Sequence, residues 1–148
     1  IEYEFEYQTS EASGGRIEVV SDNTDDLGSI LTRSGFSRQN VVSARVDSVS
    51  ITRRSPKASV TKVFGYLSGA SVYLGENASG SRIAEVLFTS EDPTPATTFL
   101  NVVNRNVTDV VKEGGTKSFL QLDTEDSVPD RTDRVEVTVY FRIEVEGV

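Results

Sequence analysis

From Arg134 to Glu146 the chain reads Arg-Val-Glu-Val-Thr-Val-Tyr-Phe-Arg-Ile-Glu-Val-Glu, and its alternation never slips. Val135, Val137, Val139, Phe141, Ile143 and Val145 share one parity; Glu136, Thr138, Tyr140, Arg142, Glu144 and Glu146 share the other. Successive side chains of a strand point to opposite faces, so this pattern defines a strand dry on one side and wet on the other. At roughly 3.3 Å per residue it runs about 40 Å, long for a globular sheet. A chain built around such a strand is committed to β structure.

Residues 1–8, Ile-Glu-Tyr-Glu-Phe-Glu-Tyr-Gln, repeat the pattern: Ile1, Tyr3, Phe5 and Tyr7 on one side, Glu2, Glu4 and Glu6 on the other. An aromatic strand face must be covered. Either it packs into the chain's own core, or it adds to a neighbouring subunit's sheet by strand exchange. In the exchange reading, removing residues 1–8 abolishes assembly and leaves a folded, soluble monomer. Residues 1–8 are also the closest match to the closing strand as its pairing partner. Antiparallel pairing with Glu opposite Glu costs stability. A register placing the N-terminal glutamates near Thr138, Tyr140 and Arg142 avoids that cost.

Between these ends the chain is punctuated by Gly, Pro and Asx residues. Thr9–Gly15 reads as a polar loop and Arg16–Ser21 as a strand with Ile17 and Val19 inward. Leu27, Ile30 and Leu31 follow the Asx-rich stretch from Asp22 to Asp26, so a capped short helix is expected, ending near Gly35. The same Asx cluster lacks the terminal Glu of a twelve-residue calcium loop. Val41–Arg54 reads as a long strand with a fault: Val42, Ala44 and Val46 take one parity, Val49 and Ile51 the other. A β-bulge, or a change of sheet, is expected near Asp47-Ser48. Residues 60–67 read as a plug for one end of the core, and Ala70, Val72 and Leu74 as the inner face of a strand. Further strands are expected at Arg82–Thr89, Phe99–Val103 and Lys117–Leu122. A capped helical turn is expected over Asn106–Lys112 and an acidic loop over Asp123–Asp133. The outcome is a single domain, 1–148, of the all-β class. Its expected form is an antiparallel two-sheet β-sandwich of about eight strands, immunoglobulin-like or jelly-roll-like, with one or two short helical insertions.

Composition removes most catalytic chemistry. The 148 residues include no His, Cys, Met or Trp, so Ser-His-Asp triads, thiol nucleophiles and imidazole or thiolate metal sites have no ligands to use. No Gly-rich phosphate loop is present. Oxygen ligation alone remains, and Asp123, Glu125, Asp126, Asp130 and Asp133 are the candidate calcium set, with solvated loop charge as the plainer account. A glycosidase carboxylate pair needs two acids held together, and nearly every acid here is expected in a loop or on a wet strand face. An enzyme is not expected. Net charge is −8, which opposes nucleic acid or an anionic membrane as partner.

That charge is unevenly spread. Residues 1–28 hold Glu2, Glu4, Glu6, Glu11, Glu18, Asp22, Asp25 and Asp26 against Arg16; residues 45–62 hold Arg45, Arg53, Arg54, Lys57 and Lys62 against Asp47. An acidic arm and a basic middle suit head-to-tail subunits, or two neighbouring segments of one subunit. Ile1, Tyr3, Phe5, Tyr7, Arg45, Arg53 and Arg54 are therefore the candidate assembly residues. No hydrophobic run reaches the length of a membrane span. A chain that opens on Ile1 without Met reads as a processed product or excised fragment, which suggests a mature secreted, cell-surface or periplasmic protein.

The run Val46-Asp-Ser-Val-Ser-Ile-Thr52, then Phe64-Gly-Tyr-Leu-Ser-Gly-Ala-Ser-Val-Tyr-Leu74 and the closing strand, resembles small β-sandwich lipoproteins of bacterial envelopes. The resemblance spans roughly residues 42–146 and rests on patterning: a strand, a plug, a Val-Tyr-Leu strand and a long final strand. No lipidation cysteine is present. The resemblance implies an envelope location. The expected function is a non-enzymatic structural or assembly module of an extracellular or envelope assembly, its partner being protein, through self-association or a larger complex. The alternative is a surface module holding a glycan or calcium. No cofactor is expected otherwise.

Overall fold

The computed structural model describes residues 1–8, 12–22, 27–55, 67–75, 81–88, 97–113, 117–124 and 132–146, with backbone alone for 53–55. Its strands are β1 (Glu2–Gln8), β2 (Arg16–Val20), β3 (Val41–Ser55), β4 (Leu67–Leu74), β5 (Ser81–Leu87), β6 (Thr97–Val102), β7 (Ser118–Thr124) and β8 (Thr132–Val145). Helix α1 (Leu27–Arg33) lies between β2 and β3, and α2 (Thr108–Glu113) between β6 and β7. The strands pair antiparallel in the order β1-β8-β3-β6-β5-β4-β7-β2. The all-β, antiparallel expectation holds.

The sheet nearly closes on itself. Just past β2, the Asp22 N–H donates to the Glu4 carbonyl at 2.8 Å, which brings the two edge strands together. A second thin place lies between β5 and β6, whose register is Ala84 opposite Val102 and Glu85 opposite Asn101. Strand pairing nevertheless runs unbroken from β1 to β2 through β6. The enclosed core includes Tyr3, Phe5, Ile17, Ile51, Leu67, Ile83, Leu120 and Leu122, each almost fully buried.

Strand β8 is the spine that its alternation foretells. It pairs with β3 from Arg134 to Val145 and with β1 from Thr132 to Thr138. Val135, Val137 and Val139 are buried in the same core as Phe5, Tyr3, Val49 and Ile51. Each such side chain contributes roughly 1.5–3 kcal/mol. Phe141, Ile143 and Val145 are half-buried, where β1 has ended. The opposite face is not uniformly wet. Glu136 is only 8% exposed, with Glu4 across from it on one side and Thr52 on the other.

The fault in β3 is a bulge at Asp47: Val46 faces Phe141, Ser48 faces Tyr140, and Asp47 has no opposite number. The extra residue returns Val49 and Ile51 to the inner face already held by Ala44 and Val46. A second irregularity at Val42 separates it from that series. Val41 is buried and Val42 is exposed, so the expected grouping of Val42 with Ala44 and Val46 is corrected. Strand β6 follows the bulge. It leaves β3 after Leu100, pairs with β5, and the chain returns to β3, with Val46 N–H donating to Arg105 O (2.8 Å) and Val107 N–H to Ala44 O (3.0 Å). The Arg105 guanidinium then donates to the carbonyls of Val46 (3.0 Å) and Asp47 (3.1 Å), filling the gap.

Both helices plug the sheet with small apolar faces: Leu27 and Leu31 from α1, Val111 from α2. Ile30, expected with Leu27 and Leu31, is instead partly exposed. Helix α1 stops at Gly35, whose φ of 84° is a left-handed conformation favouring glycine. Gly35 N–H donates to Thr32 O at 3.0 Å and Phe36 N–H to Leu31 O at 2.8 Å, which satisfies two carbonyls of the last turn. The Asn106 side chain accepts from Thr108 N–H at 3.2 Å and so caps α2, as its sequence implies. Of the expected plug at 60–67, residues 60–66 lie outside the described residues and Leu67 opens β4, buried in the core.

Candidate functional site

Strands β1 and β8 carry most of the residues that sequence singles out, so their shared face is built up first. Ile1 N–H donates to Val139 O, and Val139 N–H to Ile1 O, both at 2.8 Å. This doubly bonded pair fixes the register, which continues as Tyr3 opposite Val137, Phe5 opposite Val135 and Tyr7 opposite Asp133. Tyr3, Phe5 and Tyr7 are 1–3% exposed, so in this structure they close the chain's own core, with Ile1 half-buried beside them. On the outer face Glu2 lies opposite Thr138 and Glu6 opposite Arg134, the latter an ion pair at 2.7 Å. The middle pair, Glu4 opposite Glu136, is the like-charged arrangement that a favourable register avoids. A shift of one residue would turn every aromatic outward; among the even registers that keep them inward, the structure takes the one in which Ile1 and Val139 exchange both backbone bonds.

A cavity of about 220 Å³ opens beside this row, lined by Glu4, Phe5, Glu6, Asp22, Arg134, Val135 and Glu136. Arg134 is its basic member and is engaged by Glu6. Neither Glu4 nor Glu136 is without a partner. A second shallow groove, about 340 Å³, crosses the outer face of β5, β4 and β7; Arg82 pairs there with Glu85, and Arg16 with Asp123, both at 3.4 Å.

The candidate calcium residues are divided by the fold. Asp123 lies near the end of β7 on the outer face, held by Arg16. Asp133 opens β8 facing inward at 1% exposure, opposite Tyr7. The expected acidic loop is therefore shorter than 123–133 at both ends. Glu125, Asp126 and Asp130 lie outside the described residues. Among the described residues no three His, Cys, Asp or Glu side chains gather as a metal site. Of the basic candidates, Arg45 is exposed on β3 opposite Arg142, which in turn pairs with Asp47 at 3.3 Å. The side chains of Arg53 and Arg54 lie outside the described residues. The acidic arm and the basic strand are both neighbours of β8, one on each flank.

The feature that sequence reasoning passes over is an apolar pair on the outer face: Phe99 (67% exposed) on β6 and Tyr140 (56%) on β8 flank β3, opposite Ser50 and Ser48. Backbone groups along a paired strand alternate in direction. Ala44 and Val46 turn theirs toward residues 105–107, away from β8. Their opposite numbers Ile143 and Phe141 therefore turn away from β3, in series with Val139, which bonds Ile1. Past Ile1, the first residue of the sequence, the outward N–H and C=O groups of Phe141, Ile143 and Val145 meet no backbone hydrogen bond among the described residues.

No helix among the described residues is long and apolar enough to cross a membrane. No protein-family model, curated protein or solved structure matches this chain.

Proposed function

We propose that the chain is a non-enzymatic assembly module that joins a larger structure through the outer face of β8, β3 and β6. The observation that carries this reading is the exposed apolar pair on that face, Phe99 on β6 and Tyr140 on β8, which flank β3 opposite Ser50 and Ser48. Apolar side chains gathered on a solvated sheet face mark a surface for a protein partner. We read the nearly closed sheet as a flattened sandwich. One half is β1-β8-β3-β6 and the other β5-β4-β7-β2, meeting at the thin junctions β1/β2 and β5/β6. In this reading the halves hold the core while the outer face of β8, β3 and β6 makes the contact. The resemblance of residues 42–146 to small envelope lipoproteins is the ground for placing the assembly outside the cell or in its envelope. The test is light scattering and electron microscopy of the intact chain across concentration and salt. Ordered oligomers or filaments are expected. A chain that stays monomeric throughout ends the assembly reading.

A further inference from the structure

The groove across β5, β4 and β7 lies on the other half of the sheet, away from Phe99 and Tyr140, and its shape follows from side-chain size. Strand β4 presents Gly69 and Ser71 between the longer side chains of Glu85 and Leu87 on β5 and of Gln121 and Asp123 on β7. Side chains two strands apart stand about 10 Å from each other. Small residues on the strand between them make the floor of a trough, about 340 Å³ in volume. Gly69 is not in the left-handed region, so what it supplies is room. A Cβ there would stand 3.1 Å from the Val86 carbonyl oxygen and 3.4 Å from both the Asp123 carboxylate and the Leu87 side chain.

We infer that this trough binds a neutral saccharide. Its walls hold matched donors and acceptors. Arg82 is held by Glu85 on one side and Arg16 by Asp123 on the other, with about half of each side chain still exposed. The Gln121 amide accepts from Arg16 at 2.8 and 3.0 Å and donates to the Tyr73 hydroxyl at 3.2 Å, which fixes the second wall. A guanidinium carries more N–H donors, and a carboxylate more lone pairs, than one such pairing uses. Among the described residues the Asn101 amide and the Ser71 hydroxyl, which also line the trough, have no hydrogen bond. Two guanidiniums against two carboxylates leave the lining without net charge, which favours neither an anion nor a cation. A sugar hydroxyl donates and accepts at once, and an Arg–carboxylate pair or an amide answers both. The CH face of a sugar ring needs an apolar neighbour, and Leu87, 84% exposed opposite Gly69, stands at the rim. The volume lies at the small end of the range for ligand sites, about 300–1,000 Å³, so the site takes a short saccharide unit.

Saturation-transfer difference NMR of the intact chain tests this, with maltose, cellobiose and lactose each at about 5 mM, a level that fills sites of millimolar affinity. Glucuronate and glucosamine serve as charged counterparts. Transfer to at least one of the neutral disaccharides is expected. Its affinity should fall about tenfold in Ser71→Val, which fills the floor, and in Arg82→Ala, which takes a donor from the wall. Ser71 is half-buried and Arg82 exposed; circular dichroism checks that both variants fold, and Arg82→Ala carries the test alone if Ser71→Val does not. Phe99→Ser, on the assembly face, leaves the transfer unchanged, so loss of assembly and loss of sugar binding are told apart. Silence with all three disaccharides overturns the inference. So does a stronger response to glucuronate or glucosamine, or transfer that survives the trough substitutions undiminished.

Discussion

Phe5 is the side chain on which the role of the first strand turns. It sits at the middle of β1, 1% exposed, opposite Val135. Truncating it to Ala removes the transfer free energy of a buried aromatic and leaves a cavity that the stiff β1–β8 ladder cannot collapse. Substitutions of this kind cost about 3–5 kcal/mol. Against a total stability of about 5–15 kcal/mol, that is a large share. For a chain of this size each kcal/mol moves the midpoint by about 2–4 °C, so Phe5→Ala lowers it by about 6–20 °C. The assay is thermal and urea unfolding by circular dichroism at two low-micromolar concentrations. Because β1 pairs within its own chain, the midpoint of wild type and variant alike stays fixed on dilution. An exchanged strand would make it concentration-dependent. A loss below about 1 kcal/mol, or a midpoint that falls on dilution, would refute the assignment of β1 to the chain's own core. The same geometry reverses the expectation that residues 1–8 are removable: without them Val135 and Val137 lose their cover, and the shortened chain should not fold cooperatively.

Arg105→Ala removes both guanidinium bonds to the Asp47 bulge; with the side chain exposed to water, the cost is about 1–2 kcal/mol, and Arg105→Lys recovers part of it in the same urea titration. A loss within about 0.3 kcal/mol of zero, inside the range of ordinary surface changes, argues that the bulge needs no clamp. Gly35→Ala forces a side chain into a φ of 84° and should cost about 1–2 kcal/mol, although the space around it is open. Gly35→Asn should cost less, and equal losses would contradict a conformational cause. Arg134→Ala breaks the exposed Glu6 pair and should change stability by less than about 1 kcal/mol, less still in high salt.

Sequence carries the fold class and much of its detail because both rest on period two. The closing strand, the first strand, the β3 bulge and the capped turn at Asn106 each follow from local parity or capping chemistry. What parity does not carry is which strand lies beside which. The neighbours of β8 are the first strand and β3, far apart along the chain, and nothing local encodes that choice. The Glu4–Glu136 pairing escapes a sequence reading for a related reason: parity allows every even register of β1 on β8, and the pairwise charge rule favours one that the structure does not take. Spacing groups Ile30 and Val42 with buried neighbours. One sits on the open side of a helix of seven residues, the other beside a bulge that spacing does not announce. The candidate calcium set joins residues that are close in sequence, yet its two described members belong to strands at different places in the sheet.

The partnership of β1 with β8 also has a consequence in time. At roughly 5–20 residues per second a ribosome needs on the order of ten seconds to pass from the first strand of this chain to the last. Until then the strand carrying Tyr3, Phe5 and Tyr7 lacks its sheet neighbour, since β8 is made after the other seven strands. Long-range pairing of this kind folds slowly. The alternating glutamates of β1 keep one side of the waiting strand charged and its nascent copies apart, a use for Glu2, Glu4 and Glu6 that precedes the folded state.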